Sequence, residues 1–286
     1  MKQGIESIAL GQQAPEREII LSLWTGDRPL AAASAGGAVD RLGIDLERDS
    51  KLARQSRHDD NWFADHRLED LVAYKALMPG RLFARTGEVA TGWPEQADEL
   101  IQAGASWLML PNVMDMAQVE SAVGHVGTRA GVIPMIESRQ ALGLLPDLVK
   151  SGLCEEVYFG ANDLSQSLGL ATRFHAMVHP EVLAALALCR HASLPFGIGG
   201  AAAPRTQGLP IPADVVLRFL ACLGASRLLL GRSFVNDLYA SEAGGLGARV
   251  MARTRQIRAE LLCWPVGGHA LEQAVYELAS YTNKLG

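Results

Sequence analysis

Short apolar runs recur along the chain at residues 19–24, 41–46, 82–85, 106–110, 131–136, 156–159, 195–198 and 227–230. None keeps the strict alternation of a strand with one wet face, so each reads as a strand covered on both sides. Run length alone does not separate such strands from buried helix, and the intervening segments decide the matter. Residues 94–103 carry apolar positions at helical spacing and stop at Gly104. The pattern returns at 117–126, at 139–150 before Gly152, and at 213–223 before Gly224. Helix, glycine, then a short buried strand is the written form of an α/β unit.

Eight such units predict an α/β fold, a (β/α)8 TIM barrel rather than a doubly wound sheet. No GxGxxG follows the first run, which weighs further against a dinucleotide-binding sheet. The connections after Leu46 and after Phe159 are the long ones, and length of that kind marks functional loops. From Gly231 the chain continues to Gly286, far beyond the needs of one closing helix. Helical spacing at 248–262 and 270–285 predicts a C-terminal extension over 236–286, on a barrel spanning about 18–235 in a single domain, 1–286. Such an extension is expected to cover the barrel or to pack on a second copy in a homo-oligomer.

Composition narrows the function classes. Hydrophobic residues are 49% of the chain and charged residues 20%, enough for a large core without disulfides. The net charge of -5 and the lack of a basic cluster with interleaved aromatics argue against nucleic acid as a partner. Cys154, Cys189, Cys222 and Cys263 form no CxxC pair, which suits reduced thiols in a cytoplasm. The opening MKQGIESIALGQQAPERE lacks the form of a secretory signal, and no run approaches the ~20 apolar residues of a membrane span. A soluble, cytoplasmic protein without a membrane partner is expected.

In a barrel, chemistry belongs at the C-terminal ends of the strands. Those ends read Trp24 to Asp27, then Asp45, Leu46, Glu47 and Arg48, then Arg85, then Pro111 and Asn112. Glu137 and Ser138 follow on strand five, Asn162 and Asp163 on strand six, the glycines of GIGGAAAPR on strand seven, and Gly231 to Ser233 on strand eight. Carboxylates and arginines converge there with almost no histidine. Glu137 and Asp163 lie one unit apart, hence on adjacent strands, and like charges so placed call for a cation between them. An all-oxygen pair suits Mg²⁺ or Mn²⁺ rather than zinc. Arg85 is placed to stabilise an anion at the same spot.

Taken singly, each residue has an ordinary reading. Glu137 suits the first turn of a helix, Asp163 suits an N-cap, and Arg85 suits a plain ion pair. Their coincidence at successive strand ends points to a site. His58 and His66 are catalytic candidates in the long segment after strand two, although QSRHDDNW also reads as a solvated polar run. His125, His175, His179, His191 and His269 fall away from the expected rim.

Five stretches in order, GIDLER, ARTGEV, GASWLMLPNV, PMIESRQAL and FGANDLSQSLGL, resemble the HpcH/HpaI aldolase and citrate lyase β-subunit family of the phosphoenolpyruvate/pyruvate barrels, over roughly residues 18–235. The resemblance implies a divalent-metal lyase or aldolase that makes or breaks a C–C bond beside a 2-oxo acid or acyl-CoA. It implies Glu137 and Asp163 as metal ligands, Arg85 as the catalytic arginine, and Asp45 and Glu47 as the acidic pair after strand two. It also implies that backbone amides near Ala161 and Asn162 bind the substrate carboxylate; Trp24, at the end of strand one, is a further candidate for substrate contact. Pyruvate aldolases of the family carry a histidine base after the acidic motif, where this chain has Arg48. An arginine stays protonated and cannot take that part. His58, His66 or a water then supplies the base, or the reaction is not a simple aldol cleavage. Alternatives are a citryl- or malyl-CoA type lyase, phosphoryl or phosphonate chemistry on phosphoenolpyruvate, and a non-catalytic barrel that retains the metal site.

Overall fold

Among the described residues nine short strands, all parallel, pair in an order that follows the chain almost throughout. They are β1 (Ile20–Trp24), β2 (Arg41–Asp45), β3 (Leu82–Arg85), β4 (Ala105–Leu110), β5 (Gly131–Ile136), β6 (Val157–Phe159), β7 (Phe196–Ile198), β8 (Gly200–Ala201) and β9 (Arg227–Leu230). A computed structural model describes residues 17–47, 66–240 and 244–285. The sheet runs β7-β6-β5-β4-β3-β2-β1-β9-β8. β7 and β8 are halves of one stave bent at Gly199, where φ is 64°. The first half pairs with β6 and the second with β9. Ser226 N–H also donates to Phe196 O at 3.0 Å, so the sheet meets itself and eight staves form a barrel.

Alternation along each strand sends one file of side chains inward and the other toward the helices. Leu21, Leu23, Leu42, Ile44, Leu82, Ala84, Leu108 and Leu110 pack in the outer core. Phe83, Met109, Ile133, Met135, Tyr158 and Leu229 fill the interior with Trp24 and Trp107. Large rings there need small partners. A Cβ on Gly131 would sit 2.4 Å from the Trp107 ring, and one on Gly43 would sit 2.6 Å from the Phe83 ring. The seam between staves seven and eight is bridged by a side chain. The Tyr158 hydroxyl donates to Gly199 O at 2.6 Å and accepts from Leu229 N–H at 2.9 Å.

The floor of the barrel is ionic. Arg41 and Arg227, at the starts of β2 and β9, both bind Glu156 beside β6. The Arg41 guanidinium also lies 4.0 Å from the centre of the Trp107 ring.

Around the barrel run α1 (Arg28–Ala35), α2 (Leu68–Tyr74), α3 (Trp93–Ala103), α4 (Met116–Val126), α5 (Arg139–Ser151), α6 (Ala161–Ser167), α7 (Arg173–Met177), α8 (Pro180–His191), α9 (Ala213–Leu223), α10 (Arg232–Ala240), α11 (Leu246–Cys263) and α12 (Gly268–Thr282). Gly104, Gly152 and Gly224 end their helices in the left-handed conformation that glycine adopts at least cost. The C-terminal helices divide their work. α11 packs on both α1 and α9 and so completes the helical ring, whereas α12 lies over α9 and α7. The barrel thus draws on residues past 235, its expected end. No described helix is long and apolar enough to cross a membrane.

Candidate active site

The inward file of each strand becomes polar as it leaves the barrel. Phe83 is followed two residues on by Arg85, Met135 by Glu137, and Gly43 by Asp45 and then Glu47. Arg85 is 4% exposed, and Glu137 and Glu47 are 3% exposed each. Arg85 grips Asp45 through two parallel bonds, Nε to Oδ1 at 2.9 Å and Nη2 to Oδ2 at 2.7 Å. Its Nη1 lies 2.9 Å from Glu47 Oε2 and 3.9 Å from Glu137 Oε1. Burial alone would depress its pKa, but Asp45, Glu47 and Glu137 outweigh that effect and raise it. Arg85 is a fixed cation.

Glu137 is the unusual carboxylate. Its Oε2 accepts from Asn112 N–H at 2.9 Å. Its Oε1 is buried without a hydrogen-bond partner among the described residues. A Cβ on Gly160 would sit 2.4 Å from that oxygen, so the stave-six end must be glycine for Glu137 to hold this position. Burial first, and then the negative charge of Asp163, raise the Glu137 pKa against the opposing charge of Arg85, to about 7 in all. Asp163 is half-buried in the first turn of α6, whose N-cap is Gly160, so its expected ordinary role as the N-cap does not hold. Ala161, buried, and Asn162, exposed, open the same helix.

This pair fits a hard divalent cation. It offers carboxylate oxygens from the ends of adjacent staves, and one oxygen is already desolvated and, among the described residues, without a donor. Among the described residues no group of three His, Cys, Asp or Glu side chains is arranged to hold a metal. Two carboxylates leave the rest of such an ion's shell to water and substrate oxygens.

Two further residues close the rim. His66 is 4% exposed, and its Nδ1 accepts from Asp45 N–H at 3.0 Å. The neutral ring therefore carries its proton on Nε2. Trp24 stacks on Phe83 at 5.7 Å between ring centres, and Arg85 lies 4.7 Å over its face. Trp24 Nε1 is buried and, among the described residues, lacks an acceptor. Arg48 and His58 fall outside the described residues.

The HpcH/HpaI aldolase/citrate lyase family model matches residues 23–202. The chain belongs to this family. All five stretches that suggested it lie inside the match, and the family places the chain among aldolase- and lyase-type enzymes. Among the solved structures that share the fold are the following three. A family protein from Burkholderia cenocepacia has a TM-score of 0.59 at 18% identity, over 78% of this chain and 93% of that one. An HpcH/HpaI aldolase from Desulfitobacterium hafniense gives 0.54 at 15% identity, over 78% and 90%. The citrate synthase SbnG gives 0.55 at 16% identity, over 78% and 91%. No match is found among curated proteins.

The geometry brings Asp45, Glu47, Arg85 and Glu137 into direct contact, with His66 at the backbone of Asp45, Trp24 against Arg85, and Asp163 acting on Glu137 through its charge. Asn112 was legible as a strand-end residue but not as a partner of Glu137. That contact is made by its backbone, on which side-chain chemistry gives no signal.

Proposed function

We propose that the protein is a Mg²⁺- or Mn²⁺-dependent carbon–carbon lyase or aldolase acting on a small 2-oxo acid through a pyruvate-like enolate. The supporting observation is the buried Glu137 Oε1, without a hydrogen-bond donor among the described residues, beside the fixed cation of Arg85. Glu137 and Asp163 hold the ion, which when bound polarises the substrate's carbonyl as a Lewis acid.

The chain's own residues do the rest. Arg85, locked by Asp45 and Glu47, keeps a positive charge where the enolate oxygen gains its negative one. Because its partners already fix it, no reorganisation is needed as that charge develops. Amides of Ala161 and Asn162 orient the substrate carboxylate, and Trp24 walls the opposite side. In a retro-aldol cleavage the methylene carbon of the enolate gains a proton and becomes methyl, and the substrate hydroxyl loses one as the C–C bond breaks. Arg48 cannot take that proton. A water takes it and returns one to the enolate, so the protons balance, and His66, whose Nε2 carries the ring proton, is the described group suited to holding that water by a hydrogen bond.

Deuterium exchange tests this reading. With Mn²⁺ and pyruvate in D₂O, the methyl protons should exchange in the unaltered protein, and Glu137→Gln and Asp163→Asn should abolish the exchange. Tight Mn²⁺ binding with no exchange into pyruvate or oxaloacetate sinks it.

A further inference from the structure

Asn112 follows β4 with φ at 49°, in the left-handed region that ordinary side chains avoid and asparagine tolerates. That turn aims its N–H at Glu137 Oε2, 2.9 Å away, and the buried Oε1 has no donor among the described residues. The residue is held from outside as well. Its Nδ2 donates to Glu88 Oε1 at 3.0 Å, from the loop that follows β3. Two residues on, Met114 is tied by both its backbone groups: its N–H donates to Gln118 Oε1 and its carbonyl accepts from Gln140 Nε2, each at 2.7 Å. A short loop thus has its backbone direction set by three neighbouring side chains.

We propose that Asn112 is a positioning residue for Glu137. Its left-handed backbone decides which carboxylate oxygen is consumed inside the protein and which is presented to the cation. The assignment rests on the metal reading of Glu137 and Asp163. A hydrogen bond to Oε2 alone fixes the carboxylate's rotation, so a cation meets one preset oxygen rather than a rotor. The side chain of Asn112 matters only through the backbone: it makes the conformation affordable and ties it to Glu88.

The test is Mn²⁺ binding by the full chain, read from the free-ion electron paramagnetic resonance signal, with thermal melting followed in parallel. Asn112→Gly keeps the left-handed backbone and loses the Glu88 contact, so it should bind Mn²⁺ nearly as the parent does. Asn112→Val disfavours that backbone and should weaken binding by about tenfold, the scale of losing an outer partner of a metal-binding carboxylate. If the valine variant does not fold, Asn112→Ala must show the same ordering. A merely structural role would instead rank affinities by melting temperature, with the glycine variant weakened along with its stability. Valine and alanine variants that bind as the parent does, or a glycine variant as weak as they are, overturn the assignment alone. A parent chain that binds no Mn²⁺ overturns it together with the metal reading.

Discussion

Glu137 joins the chemistry to a measurable property of the folded chain. Its pKa is about 7 when folded, against an ordinary value of 4.5. Below pH 4.5 it is protonated in both states and its burial costs nothing electrostatic. As pH rises from 4.5 through 7 the unfolded chain releases the proton first, and stability from this group is lost on the order of 3 kcal/mol. In metal-free buffer with chelator, the melting temperature should therefore fall from pH 5 to pH 8. Glu137→Gln, neutral throughout, should flatten that slope, and parallel slopes for the two proteins would refute this account. The strand-end logic made Glu137, Asp163 and Arg85 legible, because residue type and register are both written in the chain. The positive φ of Asn112 and the Nδ1 contact of His66 were not. Each depends on a backbone group meeting a partner distant in sequence, and neither pattern nor propensity encodes that.

At the level of elements, the staves were legible to within a residue because each is an apolar run, several of them following a helix-stopping glycine such as Gly104, Gly152 or Gly224. The exception is stave seven, written as one run at 195–198 but built as two halves around Gly199. Once the chain bends there, the backbone cannot supply every link across the seam, and Tyr158 fills the gap with one hydroxyl that both donates and accepts. Tyr158→Phe keeps the ring packing and strands both Gly199 O and Leu229 N–H. The expected loss is about 2 to 3 kcal/mol, since each buried group without a partner costs about 1 to 3 kcal/mol. Chemical denaturation of the variant measures it. A loss below about 0.5 kcal/mol, the usual range of a change that disturbs no special feature, means that the hydroxyl does not hold the seam.

For the molecule as a whole, the barrel separates holding together from acting. Its C-terminal rim gathers Arg85 with three carboxylates, and its floor gathers Glu156 with two arginines. The rim was legible because barrel strands point their ends at the chemistry. The part played by α11 in the ring was not, because helical periodicity reveals an apolar face without naming what will cover it. The floor gives the sharpest test of the division. Arg41 and Arg227 are brought together around one buried carboxylate, and removing that carboxylate leaves two guanidiniums facing each other with little water. Breaking a buried ion pair from one side costs about 3 to 5 kcal/mol, because the surviving charge keeps its desolvation penalty without its partner. Glu156→Gln should therefore lower the unfolding free energy by that amount, read from chemical denaturation, while Mn²⁺ affinity stays at the parent value, measured well below the shifted midpoint. Because β6 joins Glu156 at its start to Gly160 at its end, a floor that also set the register of the rim would show itself here. Glu156→Gln would then weaken Mn²⁺ binding along with stability, and the two ends of the barrel would be one cooperative unit.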